Sequence, residues 1–423
     1  MAQELTVEIV RNPSSGYTVP PPRGERDPAA GAPRDLRVLL RHAERDGLTV
    51  TAFASWLPPR EQWRGARLET TPQTLVSKAG TLRFEWKRLV VDHIDETPGP
   101  GMRIGGRPLS EQTDLTGHSA LVETLVKNLA EEGFDVLDVM LDGNDPGLRS
   151  FRTFLLDTLA EEENLRVSFD SDLPLPWPML AVDPSRCADP WDAFLGHRHQ
   201  VEQASPAYSW VDQMALGPRR RAVTSLNTDT TLDRVGRASD VRDLLDSRSR
   251  LTVRTRAEDL LDALNNEVLP EDLMYFWCHG TFMDEGTPDR RLVIKLSDAD
   301  LIDSAKVRRR RRPLRGRPQR FKPFVLLNAC HTGQAATGTH VDHLGAALID
   351  LGADGVLGPQ IEIPQVFASE YAYSFLEMYL TGRHTAGEIS QILVRAFAAK
   401  FRNPLALTYS LHCGLHSRLD LAS

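Results

Sequence analysis

Hydrophobic residues follow two alternating periods in the second half of the chain. From about residue 221, short apolar runs are followed by segments with apolar residues at helical spacing, as in 222–226 followed by 238–245. Strands that alternate with helices favour a parallel sheet with helices on both faces. We therefore predict an α/β fold in which a mostly parallel sheet is flanked by helices.

Two of the predicted strands, residues 273–278 and 324–329, are almost unbroken apolar runs. Such runs are typical of central parallel strands that are buried on both faces. Each run ends at a side chain that can react, because His279 and Gly280 follow the first run and Cys330 follows the second. Ligands of open α/β sheets bind beyond the carboxyl ends of the strands, so we expect His279 and Cys330 to share one cleft.

The pattern in the first half of the chain is less regular. We predict a strand hairpin within residues 5–19, a Pro- and Gly-rich loop over 20–33, and short strands and helices up to the turn-rich stretch at 99–108. The predicted divisions are an N-terminal α+β accessory region (1–110), the first half of a larger domain (111–215) and its catalytic half (216–423).

Composition places the chain among globular proteins. It has 423 residues, of which 41% are hydrophobic and 26% charged, with a mean hydropathy of −0.32. No run approaches the roughly 20 apolar residues that a membrane span needs, and the N-terminus does not resemble a signal peptide. Four scattered cysteines are too few for a disulfide framework. We therefore expect a cytoplasmic protein without membrane insertion.

The residues that end the two apolar strands suit acyl-transfer chemistry. A cysteine thiolate attacks an amide carbonyl, and a neighbouring histidine activates the thiol and protonates the leaving amine. Gly280 lacks a side chain, so a substrate backbone can approach closely. We expect its N–H, together with that of Cys330, to bind the oxyanion of the tetrahedral intermediate.

Two other interpretations of these residues are open. Taken singly, His279 and Cys330 are each compatible with an ordinary structural residue at a strand end. Cys278, His279, Cys330 and His331 have the ligand types of a zinc site. We disfavour zinc because adjacent strand residues point to opposite faces and no C-x-x-C pair is present. No metal and no cofactor are expected.

Sequence blocks around these residues resemble those of CHAT-domain peptidases, which are bacterial relatives of caspases and separases. Residues 274–280, Met-Tyr-Phe-Trp-Cys-His-Gly, are similar to the family's His-Gly block. Residues 325–333, Val-Leu-Leu-Asn-Ala-Cys-His-Thr-Gly, are similar to its Ala-Cys-x-x-Gly block. Residues 172–180 resemble its Leu-Pro-Trp-Glu-Leu-Leu block, with Pro178 in place of Glu. Further similar blocks lie at residues 345–358 and 403–414.

The resemblance implies a cysteine endopeptidase with a caspase-like fold, in which His279 is the base, Cys330 is the nucleophile and no third residue is required. It also implies that loops after two strands hold the P1 side chain, where Asp229 and Glu362 are the candidate substrate-binding acids. Acids there favour a basic P1 residue, although both are equally compatible with solvated loop positions.

Members of this family commonly act in bacterial defence or regulated cell-death systems. The resemblance therefore implies a specific protein substrate, for example a gasdermin-like pore former, and an activating partner. The alternative is a catalytically silent caspase-like interaction module that binds a peptide or a partner in the same cleft.

A strongly basic stretch separates the two apolar strands. Residues 306–322 contain ten basic residues and no acidic one, in a chain of net charge −8. Its Pro and Gly content predicts a long exposed loop over 308–322. Three interpretations are open: a solvated insertion, an autoinhibitory or self-cleaved segment, and a contact for an acidic partner or nucleic acid. Nucleic acid is disfavoured because Phe321 is the single aromatic residue in the stretch.

Overall fold

The structure is a computed structural model of the chain. It describes residues 34–44, 47–58, 61–94, 106–205, 219–283, 291–312, 321–329 and 344–422. The predicted hairpin at 5–19, the Pro-rich loop at 20–33 and the candidate nucleophile Cys330 lie outside these residues. Within the described part of the chain, no helix has both the length and the apolar character that crossing a bilayer requires.

Eleven strands of the described residues form one sheet. They are β1 (Leu36–Ala43), β2 (Gly47–Ala54), β3 (Trp63–Leu68), β4 (Arg166–Ser171), β5 (Gln200–Ala204), β6 (Ala222–Thr228), β7 (Ser249–Arg254), β8 (Leu273–Trp277), β12 (Phe324–Asn328), β13 (Gly355–Pro359) and β14 (Tyr409–His412). A second, three-stranded sheet contains β9 (His279–Met283), β10 (Arg291–Lys295) and β11 (Leu301–Ile302).

The order of strands in the large sheet is β3-β2-β1-β4-β5-β14-β13-β12-β8-β6-β7. Seven of its ten neighbouring pairs are parallel, and the antiparallel pairs are β1 with β2, β2 with β3, and β13 with β14. The structure therefore confirms the predicted mostly parallel sheet. Because β13 and β14 are antiparallel, the two halves of the sheet run in opposite directions.

Helices pack against this sheet. They are α1 (Pro72–Trp86), α2 (Pro108–Glu111), α3 (Ser119–Leu141), α4 (Pro146–Glu161), α5 (Leu195–Arg198), α6 (Ala238–Arg248), α7 (Ala257–Leu264), α8 (Ser304–Arg311), α9 (Leu344–Asp350), α10 (Gln365–Tyr379) and α11 (Ala386–Phe401). The segment with helical spacing at 238–245 forms the greater part of α6. Local chemistry explains the start of α11, where Thr385 and Glu388 form a capping box.

The central strands are buried on both faces, as their apolar runs predicted. Leu273, Tyr275 and Trp277 of β8 enter one hydrophobic cluster with α6, α10 and α11. Met274 and Phe276 enter a second cluster with α7, α8 and α9. This division follows from the alternation of side chains along a strand.

The N-terminal strands continue the same sheet. β1 pairs in parallel with β4, and Leu36 lies opposite Val167. The sheet therefore contains residues from both sides of position 110. The three-part division of the chain stays a prediction.

The expectation of a long loop over 308–322 is wrong for its first residues, because Arg308–Arg311 belong to α8. The Asp303 side chain caps this helix by accepting a hydrogen bond from the N–H of Lys306. Val307 anchors the helix in the second hydrophobic cluster. The prolines and the glycine that argued against regular structure lie after residue 312, so they do not interrupt α8.

The basic side chains of α8 make ion pairs with the body of the protein. Arg308 pairs with Asp350 at the end of α9 at 3.0 Å, and Arg310 pairs with Asp262 of α7. These contacts fasten α8 to two helices on the same face of the sheet. Part of the basic stretch therefore pairs with acidic residues of the body, while the arginine side chains remain partly exposed.

Candidate active site

Four parallel strands end at one edge of the large sheet. β13, β12, β8 and β6 are consecutive neighbours, and their registers pair Thr228 with Trp277 and Trp277 with Asn328. We call the edge where these strands end the carboxyl edge. In the sequence, the last residues of these strands are followed after one or two positions by Asp229, His279, Cys330 and Gln360.

His279 begins the small sheet at the carboxyl edge. It follows β8 after one residue, Cys278, and lies opposite Lys295 in the antiparallel pair of β9 and β10. The His279 side chain is 45% exposed, whereas Cys278 is buried. The sequence predicted that His279 ends a buried strand, but not the small sheet that fixes its backbone.

Asp229 lies close to the imidazole of His279, a proximity that no sequence pattern indicated. Its Oδ2 atom is 3.9 Å from Nε2 of His279, and its side chain is 6% exposed. At this distance no direct hydrogen bond forms, but a sheltered negative charge lies beside the imidazole. The structure thus brings together two of the predicted site residues.

The other carboxylate oxygen of Asp229 stabilises the turn that carries it. Oδ1 accepts hydrogen bonds from the N–H and the hydroxyl of Thr231, at 3.0 and 2.9 Å. The Asp229 N–H donates to the carbonyl of Trp277 at 3.0 Å, and the Trp277 indole N–H donates to the carbonyl of Leu232 at 3.1 Å. These bonds tie the turn to β8, which leads to His279.

A further hydrogen bond joins this turn to the small sheet. The N–H of Thr230 donates to Oγ of Ser297 at 2.9 Å, and Ser297 follows β10 by two residues. Since β10 pairs with β9, the segment that holds Asp229 and the segment that holds His279 are joined on two sides.

Asn328, the last residue of β12, forms a buried hydrogen-bond network that sequence analysis missed. Its amide nitrogen donates to the carbonyl of Ala368 at 2.7 Å, and its Oδ1 accepts from the Tyr409 hydroxyl at 2.6 Å. Buried amides require such partners. The network fixes the end of β12 two residues before Cys330. A polar residue at the end of an apolar run was the one available signal.

Glu362, the second predicted substrate-binding acid, pairs with Lys87. The Lys87 ammonium is 3.1 Å from a Glu362 oxygen, and the Glu362 side chain is 50% exposed. Burial opposes the charge of Lys87, but the hydrogen bonds and charges of Glu362 and Asp92 together outweigh it and raise the pKa of Lys87. A role for Glu362 in substrate binding stays a prediction.

The predicted nucleophile and half of the oxyanion site lie outside the described residues. Gly280 is described and lies in β9 opposite Ile294, whereas Cys330, with its thiol and its N–H, is not described. Their roles stay predictions. Within the described ranges, no group of three or more His, Cys, Asp or Glu side chains is arranged to hold a metal ion.

Comparisons with known proteins agree with the sequence blocks. The family model of the CHAT domain matches residues 149–399, more than half of the chain. The probable protease of Vitiosangium sp. (strain GDMCC 1.1324) is 27% identical over 138 residues, which are 32% of this chain and 17% of that protein. Crystal structures of the Saccharomyces cerevisiae separase–securin complex at 3.0 and 2.6 Å align with 89% of this chain and 30% of theirs, with TM-scores of 0.44 and 0.46 at 10% identity. From the match of the family model, the chain belongs to the CHAT domain family.

Proposed function

We propose that this chain is a cysteine endopeptidase that cleaves a specific partner protein, with Cys330 as the nucleophile and His279 as the base. The observation that carries the proposal is the register of β8 with β12. Trp277 lies opposite Asn328, and His279 and Cys330 each follow this pair by two residues in the sequence. Neighbouring strands are about 4.8 Å apart, a spacing that suits a thiol and an imidazole acting on one carbonyl.

In the proposed reaction, His279 takes the proton of the Cys330 thiol, and the thiolate attacks the carbonyl carbon of the scissile bond. The N–H groups of Gly280 and Cys330 bind the oxyanion that forms. His279 then gives its proton to the leaving amine, and a thioester remains. Water hydrolyses the thioester, which releases the carboxylic acid and restores the thiol.

Asp229 is our proposed acid for a basic P1 side chain. Its Oδ2 atom faces the site within 3.9 Å of His279, and its side chain is almost fully shielded from water. A carboxylate in such a position attracts an arginine or lysine more strongly than an exposed one does. Glu362 is the weaker candidate because it is half exposed and already paired with Lys87.

The cellular role that we propose follows from the family resemblance. The chain would act in the cytoplasm in bacterial defence or regulated cell death, where an activating partner switches on cleavage of one protein, such as a gasdermin-like pore former. The relative in Vitiosangium is named a probable protease, which supports the peptidase activity and not the choice of substrate.

Mass spectrometry of new protein N-termini tests the proposal. The wild-type chain and Cys330→Ala are each expressed with proteins encoded by neighbouring genes, and Cys187→Ala serves as a matched control. We expect the same new N-termini with wild type and Cys187→Ala and none with Cys330→Ala, which must retain the wild-type melting temperature. Identical N-termini in all samples, with candidate activators present, would favour the catalytically silent module.

A further inference from the structure

We propose that Arg83 is a positioning residue that holds Gln360, and with it the turn after β13, at the wall of the candidate cleft. This inference rests on the proposed peptidase function, because it assigns that turn to substrate binding. It concerns α1, which lies before the residues that the CHAT family model matches.

The Arg83 guanidinium connects three parts of the fold. Its Nε and Nη2 atoms both donate to Oε1 of Gln360, at 3.0 and 2.9 Å. Nη2 also donates to the carbonyl oxygen of Pro174 at 2.7 Å. Pro174 belongs to the segment between β4 and β5. One side chain of α1 therefore joins that segment to the end of β13.

Gln360 lies where a cleft wall is expected. It directly follows β13, the neighbour of β12 on the side away from β8. His279 and Gln360 thus flank the strand that leads to Cys330. The Gln360 N–H donates to the carbonyl of Thr408 at 2.8 Å, so its backbone and its side chain are each anchored by a different element.

Burying the charged guanidinium of Arg83 costs more free energy than burying an apolar side chain in the same place. Arg83 is 8% exposed and Gln360 is 1% exposed. Among the described residues, the acceptors of Arg83 are an amide and a carbonyl oxygen rather than a carboxylate. Burial without a compensating anion lowers the pKa of Arg83 to about 10. Buried charges are usually paired with an opposite charge, and groups with strongly shifted pKa values are frequent at functional sites.

A second contact of the same N-terminal segment reaches the same turn. Lys87 follows α1 directly and pairs with Glu362 at 3.1 Å. Arg83 and Lys87 lie one helical turn apart and therefore face the same side of the helix. Arg83 and Lys87 therefore both contact residues 360–362, the segment in which a substrate-binding loop was predicted.

The test uses the full chain with Arg83→Met, Arg83→Lys and the control Lys78→Met. Lys78 also lies in α1, but its ion pair with Asp135 is partly exposed. Hydrogen–deuterium exchange of residues 360–364 measures the hold on the turn. The KM and kcat for a fluorogenic peptide with arginine at P1 measure its consequence for the cleft.

In Arg83→Met, we expect the amide hydrogens of residues 360–364 to exchange at least tenfold faster than in Lys78→Met. We also expect KM to rise about fivefold or more, with kcat within twofold of wild type. Arg83→Lys has one donor nitrogen instead of the two that bind Oε1 in the wild type. It should lie between them and covers the case in which Arg83→Met does not fold. Equal exchange in all three variants, or faster exchange with an unchanged KM, would overturn the inference. If the wild type does not cleave this peptide even with candidate activators present, the basic P1 preference or the proposed function fails, and exchange alone decides whether Arg83 holds the turn.

Discussion

The substitution Asp229→Asn separates the charge of this residue from its structural role. The asparagine keeps Oδ1, which accepts the two hydrogen bonds from Thr231, so the turn after β6 should stay intact. It replaces Oδ2, the atom 3.9 Å from His279, by a neutral NH₂ group. If Asp229 binds a basic P1 side chain, the variant loses that attraction and little else.

The expected loss follows from the burial of the carboxylate. Hydrogen bonds to charged groups contribute about 1.5–3 kcal/mol, which corresponds to a decrease of about 10- to 150-fold in kcat/KM for a peptide with arginine at P1. Exposed ion pairs contribute about 0.2–1 kcal/mol. Glu362→Gln, at a side chain 50% exposed, should therefore lower kcat/KM less than about fivefold.

The assay compares peptides that differ at P1 alone, with arginine, lysine or glutamine. Asp229→Asn should lower kcat/KM for the arginine and lysine peptides and leave the glutamine peptide within about twofold of wild type. Asp233→Asn is the matched control, because Asp233 is a more exposed acid that follows the same turn and pairs with Arg242. An equal loss for all three peptides would refute a P1 role and point to an effect on His279 or on the fold.

Three further outcomes are expected. Iodoacetamide should modify Cys330 faster than Cys187 or Cys413 at pH 7, as read by mass spectrometry, because burial raises the pKa of both other thiols; equal rates would count against a nucleophile. Asn328→Leu should lower the free energy of unfolding in urea by about 2–3 kcal/mol, since it leaves buried partners unpaired; a loss below about 0.5 kcal/mol would show that water replaces the network. Burial lowers the pKa of His199 to about 4. Between about pH 6.5 and 4, the imidazole of His199 is therefore protonated in the unfolded chain but not in the folded one. The free energy of unfolding should fall by about 3 kcal/mol as the pH falls through that range. In His199→Gln, which keeps a donor for the Leu159 carbonyl, this part of the pH dependence should disappear from urea titrations.

The strands that build the site could be predicted because their signal is local. The apolar runs at 273–278 and 324–329 form β8 and β12, and each strand ends one residue before the predicted end. It could also be predicted that the two strands lie close together, because both have the pattern of central parallel strands and both end at residues suited to one site. For such strands, the unbroken run of apolar residues itself indicates that both faces are buried.

The elements that were missed carry weaker or conflicting local signals. β9 and β10 are strands of five residues each, and no strand was predicted for either from the sequence. The helix α8 was hidden because prolines and a glycine after residue 312 dominated the interpretation of the whole basic stretch. Val307 and the ion pair of Arg308 with Asp350 hold this helix against the body of the protein. Such tertiary contacts cannot be recognised from the local sequence.

The proximity of Asp229 to His279 depends on strand order, which the residues alone do not reveal. The chain passes from β6 through α6 to β7 at the sheet margin, then through α7 back to β8 on the other side of β6. The helices of these two connections belong to hydrophobic clusters on opposite faces, α6 to the first and α7 to the second. β6 and β8 therefore flank a point where the strand order reverses, and ligands of open α/β sheets bind at such points. Fifty residues separate Asp229 from His279 in the sequence, yet this reversal brings them together, which is why the acid beside the proposed base is a property of the topology and not of a motif.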